Sequence, residues 1–372
     1  MRWYDSSMRV NWRRSAGTHN SRVVLAAALD QAGFSLEECD GPADHVTCYS
    51  LNQVNMPSLL REIASADCIT VAGGPSASAC WAEVSREADY VVVGEGERTL
   101  VRLLTAIEEG RDDPVPGTAT FARGLVPTDS TVLLDAYPAY ARGRGYIECT
   151  RGCPQSCAFC QTPRLFPGGM RHRSLDACLE ASRRLGDIRF VTPNAFAYGS
   201  DGRTPRFEKV RRLLTRLSRP DARIWFGTFP SEVRPEFVTD EALELVTEFC
   251  ENRRLHFGIQ SGSDRVLGRL GRGHTVADGL LAVERTLDNG LVPVVDLILG
   301  FPFETNEEQA ETLSLAVDLA GRGCHLHVHG FVPLPGTPLA ALVPRPPIPA
   351  ARRVIGRLTL AGKATGSLDL LG

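Results

Sequence analysis

No apolar run in the 372 residues approaches the roughly 20 needed to span a bilayer as a helix, and the N-terminal stretch MRWYDSSMRVNWRRSAG is basic without the apolar core of a secretion signal. The sequence therefore reads as cytoplasmic, with no membrane partner. Nor does one sign of charge dominate. The formal net charge is only -3, which leaves neither a nucleic-acid footprint nor an acidic tail. Lysine is almost absent, occurring only at Lys209 and Lys363, so the basic side chains are nearly all arginine. That is a bias of composition rather than a set of anion sites. Short-period repeats and low-complexity stretches are also lacking.

What is present is ordinary for a globular chain: 43% hydrophobic and 23% charged residues, enough for two domains or one large barrel with an added module. Eleven cysteines are an odd number in a chain without an export signal, so thiol or metal chemistry is expected before a disulfide framework. Seven of them, Cys39, Cys48, Cys68, Cys80, Cys178, Cys250 and Cys324, stand singly among apolar neighbours and read as packing residues.

Short apolar runs alternate with amphipathic segments along almost the whole chain, a pattern of α/β architecture. In the first part, helices are expected near Ser21–Ala32, Pro57–Ala66 and Arg98–Glu109, with strands near Val46–Leu51, Cys68–Ala72 and Tyr90–Val93. These form strand-loop-helix units of a doubly wound, Rossmann-like domain over residues 1–130. Residues 131–144 close a Gly-, Pro- and Asp-rich connection and are expected to be a linker. From 145 to 342, six strand candidates follow: Tyr146–Glu148, Ile188–Thr192, Arg223–Thr228, Leu255–Ile259, Val292–Leu299 and His325–Val332. With five helical segments between them, they suggest a partial (β/α)6 barrel whose working loops lie at the strands' C-terminal ends. Residues 343–372 are expected to be an extension, a helix and a loose tail.

Directly after the first barrel strand comes Glu148-Cys149-Thr150-Arg151-Gly152-Cys153-Pro154-Gln155-Ser156-Cys157-Ala158-Phe159-Cys160. Three thiolates at C-x3-C-x2-C spacing can each take one iron of a cubane cluster, and the missing fourth cysteine leaves one iron open. The competing reading is a zinc site, which needs a fourth ligand; His172 is the nearest candidate.

With this triad (Cys153, Cys157, Cys160), Phe159 before its last cysteine and the six-strand pattern, residues from about Tyr146 to Pro338 resemble the radical S-adenosylmethionine (SAM) superfamily. The resemblance implies a 4Fe-4S cluster on the three cysteines, with SAM's amino and carboxylate groups on the open iron. It also implies reductive cleavage of SAM to methionine and a 5'-deoxyadenosyl radical. Four further segments carry it. Thr192-Pro193-Asn194 stands where the family meets SAM's amino group, without the usual Gly-Gly-Glu. Gly258-Ile259-Gln260-Ser261-Gly262-Ser263 resembles the fourth-strand segment of methylthiotransferases, implying SAM contacts at Gln260 and Ser261 and a carboxylate contact at Arg272. Gly300-Phe301-Pro302-Phe303-Glu304-Thr305 is similar to the fifth-strand element near the adenine, with Phe303 where glycine is usual. Phe331-Val332-Pro333-Leu334-Pro335-Gly336-Thr337-Pro338 is similar to the sixth-strand segment, implying a contact at Val332.

The first domain resembles the cobalamin-binding domain that precedes the barrel in one radical SAM class, through Gly73-Gly74-Pro75-Ser76-Ala77 and Gly94-Glu95-Gly96-Glu97. Ordinary strand-to-helix turns are the plainer reading of those glycines. The Asp-x-His-x-x-Gly ligand motif of other cobalamin proteins is missing, since neither His19 nor His45 has that context. As a whole the chain is similar to a small archaeal-type family of cobalamin-binding domain/radical SAM proteins.

His325, His327 and His329 alternate along the sixth strand and share one face if it is regular. They could line the barrel or form a hydrogen-bonded row against a helix. His329 and Glu232 are the catalytic candidates. Arg164, Arg171, His172 and Arg173 read as an anion contact or as a solvated loop. The function implied is cobalamin-dependent radical methyl transfer to an unactivated centre of a substrate that no motif names, driven by an external one-electron reductant such as ferredoxin or flavodoxin. The alternatives are a methylthiotransferase-like modification and a non-catalytic iron-sulfur or zinc module.

Overall fold

The computed structural model describes residues 8–140 and 146–368. The linker residues 141–144, the first seven residues and the last four lie outside the described residues. The chain divides into two compact units, Met1–Tyr146 with Arg164–Phe166, and Ile147–Pro163 with Pro167–Gly372.

The first unit is built on strands β1 (Val10–Arg13), β2 (Leu36–Cys39), β3 (Val46–Ser50), β4 (Ile69–Gly73), β5 (Tyr90–Val92), β6 (Thr118–Thr120) and β7 (Gly124–Leu125), in the order β2-β1-β3-β4-β5-β6-β7. The first five pair in parallel, and β6 and β7 add an antiparallel edge. This is a doubly wound sheet whose order reverses between β1 and β3. Strand β3 is buried along its whole length, as a strand covered on both faces must be. Its side chains divide by alternation: Val46 and Cys48 join Trp12, Leu29, Leu100 and Leu104 on one face, while Tyr49 joins Leu59, Ile63 and Val84 on the other. Helices His19–Gln31 and Gly96–Glu108 supply the first group, Met56–Ala64 and Trp81–Val84 the second.

Two strands here, β1 and β2, were not anticipated. Strand β1 starts inside the N-terminal stretch whose arginines mask its apolar alternation, and β2 (LEEC) carries two glutamates at a sheet edge. The Gly-, Pro- and Asp-rich connection carries a small hairpin, β6-β7, which extends the first unit's sheet.

The second unit has seven parallel strands in chain order. Strands β8 (Ile147–Glu148), β11 (Asp187–Val191) and β12 (Arg223–Trp225) form one ladder, while β13 (Arg254–Gln260), β14 (Val292–Leu299), β15 (His325–Gly330) and β16 (Ala364–Ser367) form another. The two are joined by a bridge between Val233 and Phe257 and by the His256 N–H donating to the Gly227 carbonyl at 2.9 Å. A short antiparallel pair, β9 (Thr150–Arg151) with β10 (Arg171–His172), frames the cysteine loop. Strand β16 corrects the expected loose tail: Ala364–Ser367 pairs in parallel with Leu326–His329. Its composition, ATGS, has no strand signature, so only the exposed edge of β15 makes it one.

Alternation on β14 and β15 decides what the second unit's inner face carries. Val295, Leu297, Leu299, Leu326 and Val328 are buried, in contact with the helix layer, leaving Asp296, His325, His327 and His329 half-buried on the opposite face. Loops at the strand ends are fixed by helix caps. Ser263 and Thr305 each accept a backbone N–H at the start of helices Asp264–Leu270 and Asn306–Gly321, the second within a full capping box with Glu308. Among the described residues, no helix is long and apolar enough to cross a membrane.

The glycine turn after β4 is set by close packing. Gly74 has φ +92°, and a Cβ there would lie 2.8 Å from the Leu51 carbonyl oxygen, so an alanine is strained in backbone and in space. Gly33 has a similar φ of +87° with open space around it. Gly74→Ala is expected to destabilise the first unit by about 2 kcal/mol, and Gly33→Ala by less. Urea unfolding checks this, and equal losses for the two variants would contradict it.

Candidate active site

The three cysteines lie on the loop that follows β8, at the C-terminal end of the parallel strands. Cys157 is buried, whereas Cys153 and Cys160 are partly exposed, and none of the eleven cysteines is in a disulfide. The loop is pinned by backbone bonds: the Ala158 N–H donates to the Leu270 carbonyl at 2.8 Å, and the Cys160 N–H to the Cys157 carbonyl at 3.1 Å. Phe159 extends the anchor. Its ring centroid lies 6.0 Å from that of Phe301, within an apolar group of Val266, Leu270, Phe301, Phe331 and Leu339. The loop's far end is tied by Gln161, whose Nε2 donates to the Pro335 carbonyl at 2.8 Å. Segments far apart in sequence, after β8, β13, β14 and β15, thus meet at one place.

Two guanidinium groups converge on Cys157. Arg272 Nη1 lies 3.7 Å and Arg234 Nη1 4.0 Å from its sulfur. Arg272 also donates from Nη2 to the Gly258 carbonyl at 2.7 Å. Arg234 is oriented by Glu236, which accepts from its Nε at 2.5 Å, and it donates to the Arg272 carbonyl. Although burial opposes ionisation of Glu236, His274 and Arg234 hold its carboxyl down to about 2. Burial pushes the Cys153 thiol up, against a backbone N–H and the charge of Arg234. Burial and the neighbouring Arg234 lower the Arg272 pKa, but a guanidinium stays protonated.

His172 is not available to complete a zinc site. Its Nδ1 pairs with Thr150 Oγ1 at 3.0 Å and its Nε2 with the Ser200 carbonyl at 2.7 Å. Arg173, expected on an anion-binding or solvated loop, is instead buried, with its Nε donating to the Glu148 carbonyl. Among the described residues, no three of His, Cys, Asp and Glu converge where a single ion could sit. A cubane does not require that, because each thiolate takes its own iron.

The other SAM candidates fall into two groups. Thr192, Asn194 and Gln260 are buried with polar groups near the strand ends, and Pro193 is partly buried. Asn194 is 1% exposed and neither end of its amide has a hydrogen-bond partner. Each such group costs about 1–3 kcal/mol when left unmade, so the site suits a ligand with both donors and acceptors. Gln260 has φ +80° at the bulge in β13, and its side chain occupies the space a Cβ on Gly258 would need. Ser261 and Gly300 have structural work instead. The Ser261 hydroxyl pairs with Thr312 Oγ1, while the Gly300 N–H donates to Glu304 Oε2 at 2.6 Å and its carbonyl accepts from the Arg345 N–H at 2.9 Å. Val332 is partly buried directly after Phe331.

The catalytic candidates sit on the inner face. Burial raises the Glu232 carboxyl against the pull of Arg272. Asp296, within the strand Val292–Leu299, is pushed up by burial and by Glu232, again against Arg272. It stands in register with His327 on β15. His329 lies edge-on to His327, with ring centroids 4.1 Å apart, and burial, then the neighbouring His327, lowers its pKa. His325 and His327 both pair with Thr365 Oγ1 of β16, so the row is held by a strand rather than packed against a helix. Arg234, Glu236, His274 and Asp296 escaped the sequence reading; a lone carboxylate inside the apolar run VPVVDLIL was the one available signal.

In the first unit, the turn residues proposed for cobalamin lie after β4 and β5. Gly73 ends β4, Gly74 packs on Leu51, and Pro75 opens a short helix. Glu95 Oε2 accepts from the Val132 N–H at 3.0 Å, Gly96 packs against Leu25, and Glu97 is buried. Gly94 faces open space, with nothing within 4 Å of a Cβ position.

The raised Asp296 carboxyl makes stability pH-dependent. The folded state holds that proton more tightly than the unfolded chain, so its contribution is complete below the ordinary carboxylate pKa and is lost as pH rises through the raised value. Asp296→Asn is expected to remove this loss, raising Tm over the natural chain by a few degrees at pH 9 and little at pH 5. Equal Tm differences at both pH values would contradict it.

Residues 147–316 match the Radical SAM superfamily. Curated relatives include the tRNA-2-methylthio-N(6)-dimethylallyladenosine synthases of Pelobacter propionicus, 30% identical over 224 residues (58% of this chain, 50% of that one), and of Aquifex aeolicus, 31% identical over 210 residues (53% and 45%). The chain spans about half the length of these relatives. Among solved structures, the radical S-adenosylmethionine methyltransferase TsrM from Kitasatospora setae, with cobalamin and a 4Fe-4S cluster bound, is 18% identical. It aligns over 90% of this chain and 74% of its own with a TM-score of 0.69. The cobalamin-dependent S-adenosylmethionine radical enzyme OxsB is 16% identical, over 83% and 52%, with a TM-score of 0.67. At these identities the likeness is one of fold. Residues 147–316 carry a domain of the Radical SAM superfamily, whose members use a 4Fe-4S cluster and SAM.

Proposed function

We propose that Cys153, Cys157 and Cys160 hold a 4Fe-4S cluster, and that the enzyme cleaves SAM to drive cobalamin-dependent methyl transfer to an unactivated carbon or phosphorus centre. The observation that carries the cluster assignment is the donor set. Three cysteines share one loop at the strand ends, and guanidinium nitrogens of Arg272 and Arg234 face the buried one, positive charge that suits the sulfur ligands of a cluster. The cluster and SAM, when bound, supply a one-electron reduction that ends in a 5'-deoxyadenosyl radical. This chain's residues bind and orient. Asn194, with both amide ends unmet, would take the polar groups of SAM, and Arg272 brings the positive charge its carboxylate needs. Phe159 seals the loop against Phe301. Glu232, Asp296 and His329 would meet the substrate, with Asp296 keeping its proton near neutral pH.

Support for cobalamin comes from the first unit's fold and from Gly94, whose open side leaves room for a ligand at the ends of the parallel strands. When bound, cobalamin supplies a cobalt that carries the methyl group. SAM then serves both as methyl source and as radical source, and a ferredoxin or flavodoxin delivers the electron. A second reading, methylthiotransferase-like modification, is favoured by the 30–31% identity to the two tRNA-modifying synthases.

Anaerobic reconstitution with iron and sulfide, followed by SAM, dithionite and hydroxocobalamin, tests both readings. The expected result is a cubane spectrum, deoxyadenosine formation and retained cobalamin. Deoxyadenosine with a second cluster and no cobalamin selects the sulfur-inserting reading. Cys157→Ala is expected to abolish deoxyadenosine formation while circular dichroism stays unchanged; full cleavage activity in that variant would refute the ligand assignment.

A further inference from the structure

We propose that Arg234 is a positioning residue for the cluster: braced by Glu236, it presents a guanidinium to the Cys157 sulfur opposite Arg272 and makes the cluster easier to reduce. This rests on the cluster assignment above and adds a role for residues that no family resemblance pointed to.

The arrangement is hard to explain by folding alone. Arg234 and Arg272 are 5% and 8% exposed, and two buried like charges repel unless an anion lies between them. Among the described residues, Glu236 is the carboxylate hydrogen-bonded to the pair. Glu236 accepts from Arg234 Nε at 2.5 Å, and its other oxygen lies 3.5 Å from His274 Nδ1. His274 is itself buried, with Nε2 against the Ile259 carbonyl at 3.3 Å. The bond from Arg234 Nε to Glu236 and the donation from its Nη2 to the Arg272 carbonyl together fix the direction in which Arg234 points. The two guanidinium groups reach the same atom, at 3.7 and 4.0 Å.

The Cys157 sulfur is where their positive charge is answered. A neutral thiol satisfies two cations poorly. A thiolate bound to a cluster satisfies them well, and better still after the cluster gains an electron, because part of the added charge rests on its sulfur ligands. Hydrogen bonds and cationic charge at the sulfurs therefore favour the reduced form. Arg272 has further neighbours, the Gly258 carbonyl and the carboxyl groups of Glu232 and Asp296. Arg234 hydrogen-bonds to Cys157, Glu236 and the Arg272 backbone, so it can be altered with less disturbance to the substrate face. Glu236 sets the sign of a second test, since removing its negative charge leaves more positive charge beside the sulfur.

The experiment is an anaerobic redox titration of the reconstituted full chain, followed by the electron paramagnetic resonance of the reduced cluster, with iron and sulfide content measured in parallel. Arg234→Gln is expected to hold wild-type iron and to lower the ratio of reduced to oxidised cluster at a fixed potential by about tenfold. Arg234→Lys should restore part of that ratio. Glu236→Gln should move it the opposite way. Wild-type ratios in both Arg234→Gln and Glu236→Gln, with the cluster intact, would overturn the proposal, as would shifts of the same sign. If Arg234→Gln loses the cluster, Glu236→Gln decides alone, a raised ratio supporting the proposal and an unchanged or lowered one defeating it. A natural chain that assembles no cluster would instead defeat the cluster assignment on which this rests.

Discussion

Arg272 carries a buried positive charge in the second unit, and much of the site is arranged around that charge. Its guanidinium reaches the Cys157 sulfur and the Gly258 carbonyl, and its field acts on both Glu232 and Asp296. A charge this deep is tolerable only with partners at close range. Supplying them brings the cysteine loop, the end of β13, the loop after β12 and the middle of β14 to one place. Its own position comes from helix Asp264–Leu270, which Gly271 ends in the left-handed conformation. The Leu270 carbonyl at that same helix end receives the Ala158 N–H, so one helix terminus sets both the arginine and the cysteine loop.

The inner face of β14 and β15 shows how a parallel sheet makes such a site affordable. The helix-facing residues Val295, Leu297, Leu299, Leu326 and Val328 are buried almost completely, and each fully buried aliphatic side chain contributes about 1.5–3 kcal/mol. That stabilisation offsets the burden of the opposite face, where Asp296, Glu232 and neutral imidazoles crowd together. Asn194 adds to that burden with an amide left unsatisfied. Groups that weaken the empty protein at strand ends are what a ligand site requires, because their bonds are completed only when something binds.

Much of this was legible in the chain because it is local. The cysteine spacing, the turns at Gly73–Pro75 and Gly94–Glu97, and the run VPVVDLIL are each set by neighbours a few residues apart. The interior strands of the first unit, β3, β4 and β5, follow from the same short-range rules. Failures fell where a partner distant in sequence decides. Strand β16 exists because β15 offers an open edge, and β2 because β1 does. Arg173 was read as a loop charge but lies buried.

The order of residues alone therefore determined the α/β class and the cysteine loop after the first barrel strand, since thiolate spacing and strand patterning are properties of the local chain. Tertiary structure decided which charges stand beside those thiols. Arg234 and Arg272 lie 77 and 115 residues from Cys157, and no periodicity reports a contact across such a distance. It arises only when parallel strands stack their C-terminal ends together, where loops of unrelated sequence become neighbours and low dielectric makes each charge answer to the others.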